Sequence, residues 1–122
     1  MTMYGELVGK GQITARFLKH LAPVTLANIQ RAVPFSGRVN FFEKSLIYIM
    51  TPVIAGEEKS RYEFEKGEVA FLPGGSMLCF FLQRVKSQKA MNPLGKVNGG
   101  LEVLEKSQRG DSIKIDRIAL GT

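Results

Sequence analysis

Apolar positions in this chain recur at two periods, and the period changes several times. Alternation of apolar and polar residues predicts half-buried strands; recurrence at three and four predicts helix. Residues 4–8 and 12–18 are short strand-like runs. Gly9-Lys10-Gly11 between them predicts a hairpin turn, because glycine tolerates positive φ. No lysine-serine or lysine-threonine follows at a phosphate-loop spacing.

A helix is predicted over 23–32. Pro23 suits the first helical position, where its missing N–H is not needed. Leu26, Ile29 and Val33 form one apolar stripe, and Pro34 closes the segment. Strands follow over 38–42 and 46–51, then 62–64 and 68–72. Pro73-Gly74-Gly75 is a strong turn signal. Residues 77–83 are a continuous apolar run, as expected of a strand buried on both faces.

The polar, basic stretch 84–92 reads as an exposed loop, and 94–97 as a short strand. Asn98 is positioned to cap a second helix over 99–106, with Leu101 and Leu104 inward. The last strand spans 112–120. Ile113 and Ile115 share one face, whereas Ile118 and Leu120 fall on the other, so a bulge is expected near Asp116 or Arg117.

Strands outnumber helices and show no βαβ alternation, which argues against a parallel sheet. The expectation is a mainly β fold: a closed antiparallel β-barrel of about eight strands with two short helices. The helices would cover the barrel's open ends.

Composition adds limits. The chain has 122 residues, so 1–122 is expected to form one domain. No apolar stretch reaches the ~18 residues of a membrane span, and the N-terminus has no signal-peptide pattern. Cys79 is the single cysteine, so no internal disulfide is expected. A cytoplasmic protein fits these features. The net charge of +6 would attract a polyanion, but the basic residues are scattered and equally serve solubility.

Three stretches together resemble the cyclophilins. Gly11 to Leu18 followed by Ala22-Pro23-Val24-Thr25-Leu26-Ala27-Asn28-Ile29 resembles their first hairpin and helix. Gly75-Ser76 leading into Cys79-Phe80-Phe81-Leu82 resembles the strand that ends in a phenylalanine pair. Leu94-Gly95-Lys96-Val97-Asn98-Gly99-Gly100-Leu101 resembles their phenylalanine-glycine-lysine-valine strand and second helix. The chain is most similar to the small stand-alone cyclophilin-like proteins of prokaryotes. The resemblance implies a peptide groove in which Phe81 occupies the proline pocket.

The departures from the family bear on activity. Cyclophilins polarise the prolyl nitrogen with the arginine of a phenylalanine-histidine-arginine motif. Here Val39-Asn40-Phe41-Phe42 stands in that region, and the nearest candidate is Arg38. The groove glutamine, tryptophan and histidine also have no counterpart; Met91 stands near the histidine's place.

The candidate catalytic donor is therefore Arg38, and the candidate binding residues are Phe81, Met50, Met91 and Leu94. Each has a structural alternative: a core phenylalanine, a solvated strand-end arginine, a methionine covering apolar surface. No cofactor or metal is expected. His20 is the only histidine, so no multi-histidine metal site or paired-histidine catalysis is available. Cys79, inside an apolar run, reads as buried and inert. Glu63 and Glu65, and Glu102 and Glu105, read as solvated faces, and Arg109-Gly110-Asp111 as a turn.

Two functional readings follow. In the first, the domain binds an extended, proline-containing peptide or a small ligand in an apolar groove, with weak or absent peptidyl-prolyl isomerase activity. In the second, it is a nucleic-acid-associated protein that uses Arg84, Lys86 and Lys89 in the loop around residues 84–89. The first is favoured. Self-association through the groove is a further arrangement that the sequence leaves open.

Overall fold

The computed structural model describes residues 1–120. It opens with the antiparallel hairpin β1 (Thr2–Leu7) and β2 (Gly11–Phe17), turned by Gly9 at φ 77°. Helix α1 (Pro23–Ala32) follows, with the bounds its proline and apolar stripe predict. Leu26 and Ile29 bury against the sheet. Then come β3 (Phe35–Arg38), β4 (Asn40–Phe42), β5 (Leu46–Met50), β6 (Arg61–Phe64) and β7 (Glu68–Leu72). A turn of 3-10 helix at Pro73–Gly75 leads to β8 (Met77–Phe81). The chain ends with the long β9 (Val85–Gly99), α2 (Leu101–Glu105) and β10 (Ser112–Ala119).

The strands pair in the order β3-β10-β1-β2-β9-β7-β8-β5-β4, with β6 added on β9. Every pairing is antiparallel. This corrects the expected barrel in two respects. Among the described residues there are ten strands, and no ladder of hydrogen bonds closes the ring.

The reason lies at Val39. β3 and β4 are consecutive in the chain yet stand at opposite ends of the strand order. Arg38 pairs with Ser112 of β10, whereas Asn40 already pairs with Tyr48 of β5. The single strand predicted over 38–42 is thus a strand that changes partners. Buried Val39 is the pivot. Its N–H donates to the Asp111 carbonyl at 2.7 Å, and its carbonyl accepts from the Gly110 N–H at 3.0 Å. At this seam β3 packs on β5 without a ladder. A Cβ on Gly37 would lie 2.9 Å from both the Ile49 Cβ and the Met50 carbonyl oxygen. Only glycine allows the two strands to approach this closely.

Three further expectations change. The stretch 84–92 is not a loop: residues 85–92 belong to β9, held through long-range pairing with β6. Asn98 does not cap α2. Gly100 stands at the cap in the left-handed region (φ 89°), while the Asn98 Oδ1 accepts from the Thr14 Oγ1 at 2.8 Å. The bulge is present, because Tyr4 pairs with Arg117 and Gly5 with Ile115, leaving Asp116 as the extra residue. It returns Ile118 to the interior beside Ile113 and Ile115, and Leu120 alone stays exposed.

Side chains alternate between two apolar clusters across the sheet. Ile47, Ile49, Val69, Phe71, Leu78 and Phe80 point into the main core with Leu26, Ile29 and Leu104 from the helices. Leu46, Tyr48, Ala70, Leu72, Met77, Cys79 and Phe81 point outward into a second cluster with Phe64 and Met91. The continuous apolar runs of β5, β7 and β8 follow from this: both faces carry apolar cover. A fully buried phenylalanine stabilises the fold by ~1.5–3 kcal/mol relative to exposure.

Candidate functional site

The second cluster is only partly roofed. β6 lies over one part of it through Phe64, and beside that lid the outer sheet face opens into a groove of about 380 Å³. Its apolar lining comes from Leu46 and Tyr48 of β5, Leu72 of β7, Met77 and Cys79 of β8, and Met91 of β9. One rim is the β4–β5 turn with Phe42 and Glu43. The other is the first half of β9, from Val85 to Lys89. An apolar floor with a few polar groups at the edge is the usual construction of a ligand site.

The four candidate binding residues do not converge. Met91 lines the groove. Phe81 is fully buried beneath Phe64, the two rings stacked at 4.6 Å between centroids. The column continues outward, because the Arg61 guanidinium lies 4.7 Å from the Phe64 centroid and pairs with Glu68. Leu94 is buried in the main core, on the other side of the sheet from the groove. Met50 is 52% exposed but is not part of the lining.

Arg38 also lies outside the groove lining. Its guanidinium donates to the Gly110 carbonyl at 2.9 Å and so braces the loop before β10. Arg84 approaches Glu65, just past β6, at 3.6 Å, and Glu63 of β6 stands opposite Lys86 in the register without forming an ion pair with it. Cys79 is in the lining but shielded. Burial pushes its thiol up to about 12, which keeps it protonated and unreactive near neutral pH.

A polar network anchored on buried Thr25 and Asn92 fixes the loop between β5 and β6. Ala22 provides no side-chain cap for α1, and Glu58 does this from a distance. Its carboxylate accepts from the Val24 N–H at 2.9 Å, the Thr25 N–H at 2.7 Å and the Thr25 Oγ1 at 2.5 Å. Buried Asn92 completes the network, accepting from the Glu58 N–H and donating to Thr25 Oγ1 and the Gly56 carbonyl. Burial pushes the Glu58 carboxyl up, but the hydrogen bonds from Thr25 and Val24 outweigh it and hold it below the ordinary value. All of these groups are partnered within the protein, so the network is a latch between α1, the loop and β9.

The model of the cyclophilin-like family matches residues 6–116. The chain belongs to the cyclophilin-like family. Among solved structures, this cyclophilin-like fold is similar to the hypothetical protein AF2241 from Archaeoglobus fulgidus. The TM-score is 0.82 at 24% identity, over 97% of this chain and 95% of that one. It is also similar to the structure of McbB in complex with tryptophan, with a TM-score of 0.76 at 17% identity. That match covers 98% of this chain and 46% of the other, so this chain spans about half of that protein. No curated protein matches. At these identities the two structures establish the shared fold.

Within this cyclophilin-like fold, sequence reasoning missed Tyr48, Leu72 and Met77, and it named Lys86 and Lys89 only as nucleic-acid contacts on a loop, not as a groove rim. A signal for the first three was present. In the apolar runs of β5, β7 and β8 every second residue must face outward, and an apolar outward face needs either a cover or a ligand. Among the described residues, no helix is long and apolar enough to cross a membrane.

Proposed function

We propose that this cyclophilin-like chain is a binding module. It takes an extended apolar peptide or a small apolar ligand in the groove between the β4–β5 turn and β9, and it has little or no prolyl isomerase activity. The observation that carries the reading is the open apolar floor of Leu46, Tyr48, Leu72, Met77 and Met91. Its volume of about 380 Å³ falls within the ~300–1,000 Å³ of ligand sites.

Two features argue against efficient isomerisation. The amide must twist through a state ~18–20 kcal/mol above the planar one, which an enzyme stabilises with a donor and a ring pocket. Arg38 is committed to the Gly110 carbonyl, and the ring of Phe81 is covered by Phe64. Loss of one well-placed donor typically costs ~3 kcal/mol of transition-state stabilisation.

The test is calorimetric titration with short apolar peptides, with and without proline, against wild type and Ser87→Trp. Ser87 lines the groove, and an indole there would fill it. Binding by wild type that is lost in a folded Ser87→Trp supports the reading. Equal binding by both proteins overturns it.

A further inference from the structure

We infer that the ligand of this groove is an apolar molecule carrying one anionic head group, of the carboxylate kind, with its head at the β9 rim and its apolar body on the β5–β8 floor. This rests on the groove reading above and adds to it the chemical class of the ligand.

The charge around the opening is uneven. Lys86 and Lys89 both line the β9 side, and Glu43 is the charged residue of the opposite side. Neither lysine is in an ion pair among the described residues. Only five of the 17 basic residues form such pairs among the described residues, so it is their place on the groove rim, not the lack of a pair, that marks Lys86 and Lys89. Glu63, opposite Lys86 in the β6–β9 register, does not come within ion-pair distance of it. Two cations without counter-charge therefore border an apolar floor, in a chain whose net charge is already +6.

The geometry orients a ligand as well as attracting it. Glu43 repels an anion from its own side, which leaves the β9 rim as the favourable end. Exposed lysines contribute little each, because water competes for them. Two lysines acting on one head group at the edge of an apolar surface add up to a preference of about tenfold over a neutral head.

Three probes with one alkyl chain isolate the head group: octanoate, octanamide and octylamine, each kept below its micelle-forming concentration. Affinities are read by calorimetry, and the site by methyl resonances of Met77 and Met91, which line the groove. The expected order is octanoate first by about tenfold, then octanamide, then octylamine. The octanoate advantage should shrink with added salt. It should vanish in Lys86→Gln/Lys89→Gln, where octanoate should bind no more tightly than octanamide. If octanamide or octylamine binds at the groove as tightly as octanoate, the anionic head group is refuted while the groove reading stands. If none of the three moves the Met77 or Met91 signals while a short apolar peptide does, the anionic small ligand is refuted and the groove reading stands; if the peptide fails as well, both fall.

Discussion

Phe64 lies flat on Phe81, with the ring planes only 10° apart and the centroids at 4.6 Å. The resemblance to cyclophilins implies that Phe81 lies at a proline pocket; here a residue from β6 covers its ring. The consequence is structural. Phe80 and Phe81 point to opposite faces of β8, and both are fully buried.

Phe80→Ala and Phe81→Ala should therefore lose similar stability, ~3–5 kcal/mol each in denaturant unfolding. A double-mutant cycle of Phe64→Leu with Phe81→Leu should give a coupling of ~0.5–1.5 kcal/mol from the stacked pair. Zero coupling would mean that the two rings do not pack in solution as described.

The seam at Gly37 makes a second prediction. Gly37→Ala should destabilise by ~1–3 kcal/mol, because its methyl group would meet the Met50 carbonyl and Ile49. Gly56→Ala is the control. Nothing lies within 4 Å of a Cβ there and φ is not positive, so it should be neutral or slightly stabilising. Equal effects in thermal unfolding would count against the close β3–β5 contact.

A third prediction concerns pH. The folded state holds the Glu58 carboxyl below its ordinary value of 4.5. A depressed acid adds stability above its unfolded pKa, and that contribution is lost as pH falls through the folded value. Wild type should therefore lose more stability than Glu58→Gln on acidification below about pH 4.5. The lysine-bound Asp111 is depressed as well, first by its hydrogen bond from Lys10, and adds to the slope in both proteins. Parallel stability curves for the two proteins would show that Glu58 does not cap α1.

Arg38→Ala should leave any residual isomerase rate on a proline peptide unchanged, because the guanidinium is engaged with the Gly110 carbonyl. That rate should be far below the rate of an ordinary cyclophilin in the same assay. A rate that matches such an enzyme and falls on Arg38→Ala would return this arginine to a catalytic role.

Much of the fold was legible because local chemistry and tertiary structure agree. Pro23 and the Leu26–Ile29 stripe set α1, and the phase slip of the isoleucines in β10 marked the bulge at Asp116. The misread segments have non-local causes. In residues 85–91 only Val85, Ala90 and Met91 are apolar, and the strand is held by partners in β6, more than twenty positions away. Val39 looks like an ordinary strand residue until two different partners, β10 and β5, meet beside it. The groove was only half legible. Met91 could be named, but that Phe64 would seal Phe81 depends on how β6 crosses the outer face. Glu58 was missed for the same reason, since its partner Thr25 lies 33 positions earlier.

The most direct test of the binding account uses the protein's own methionines. Met77 and Met91 line the groove, Met3 is buried in the main core, and Met50 is exposed outside the lining. With methyl-labelled methionine, titration with short apolar peptides and small apolar ligands should move the Met77 and Met91 resonances together and saturably. Met3 should stay in place. Fixed Met77 and Met91 signals up to millimolar ligand, or a shift confined to Met50, would contradict the groove as the binding site.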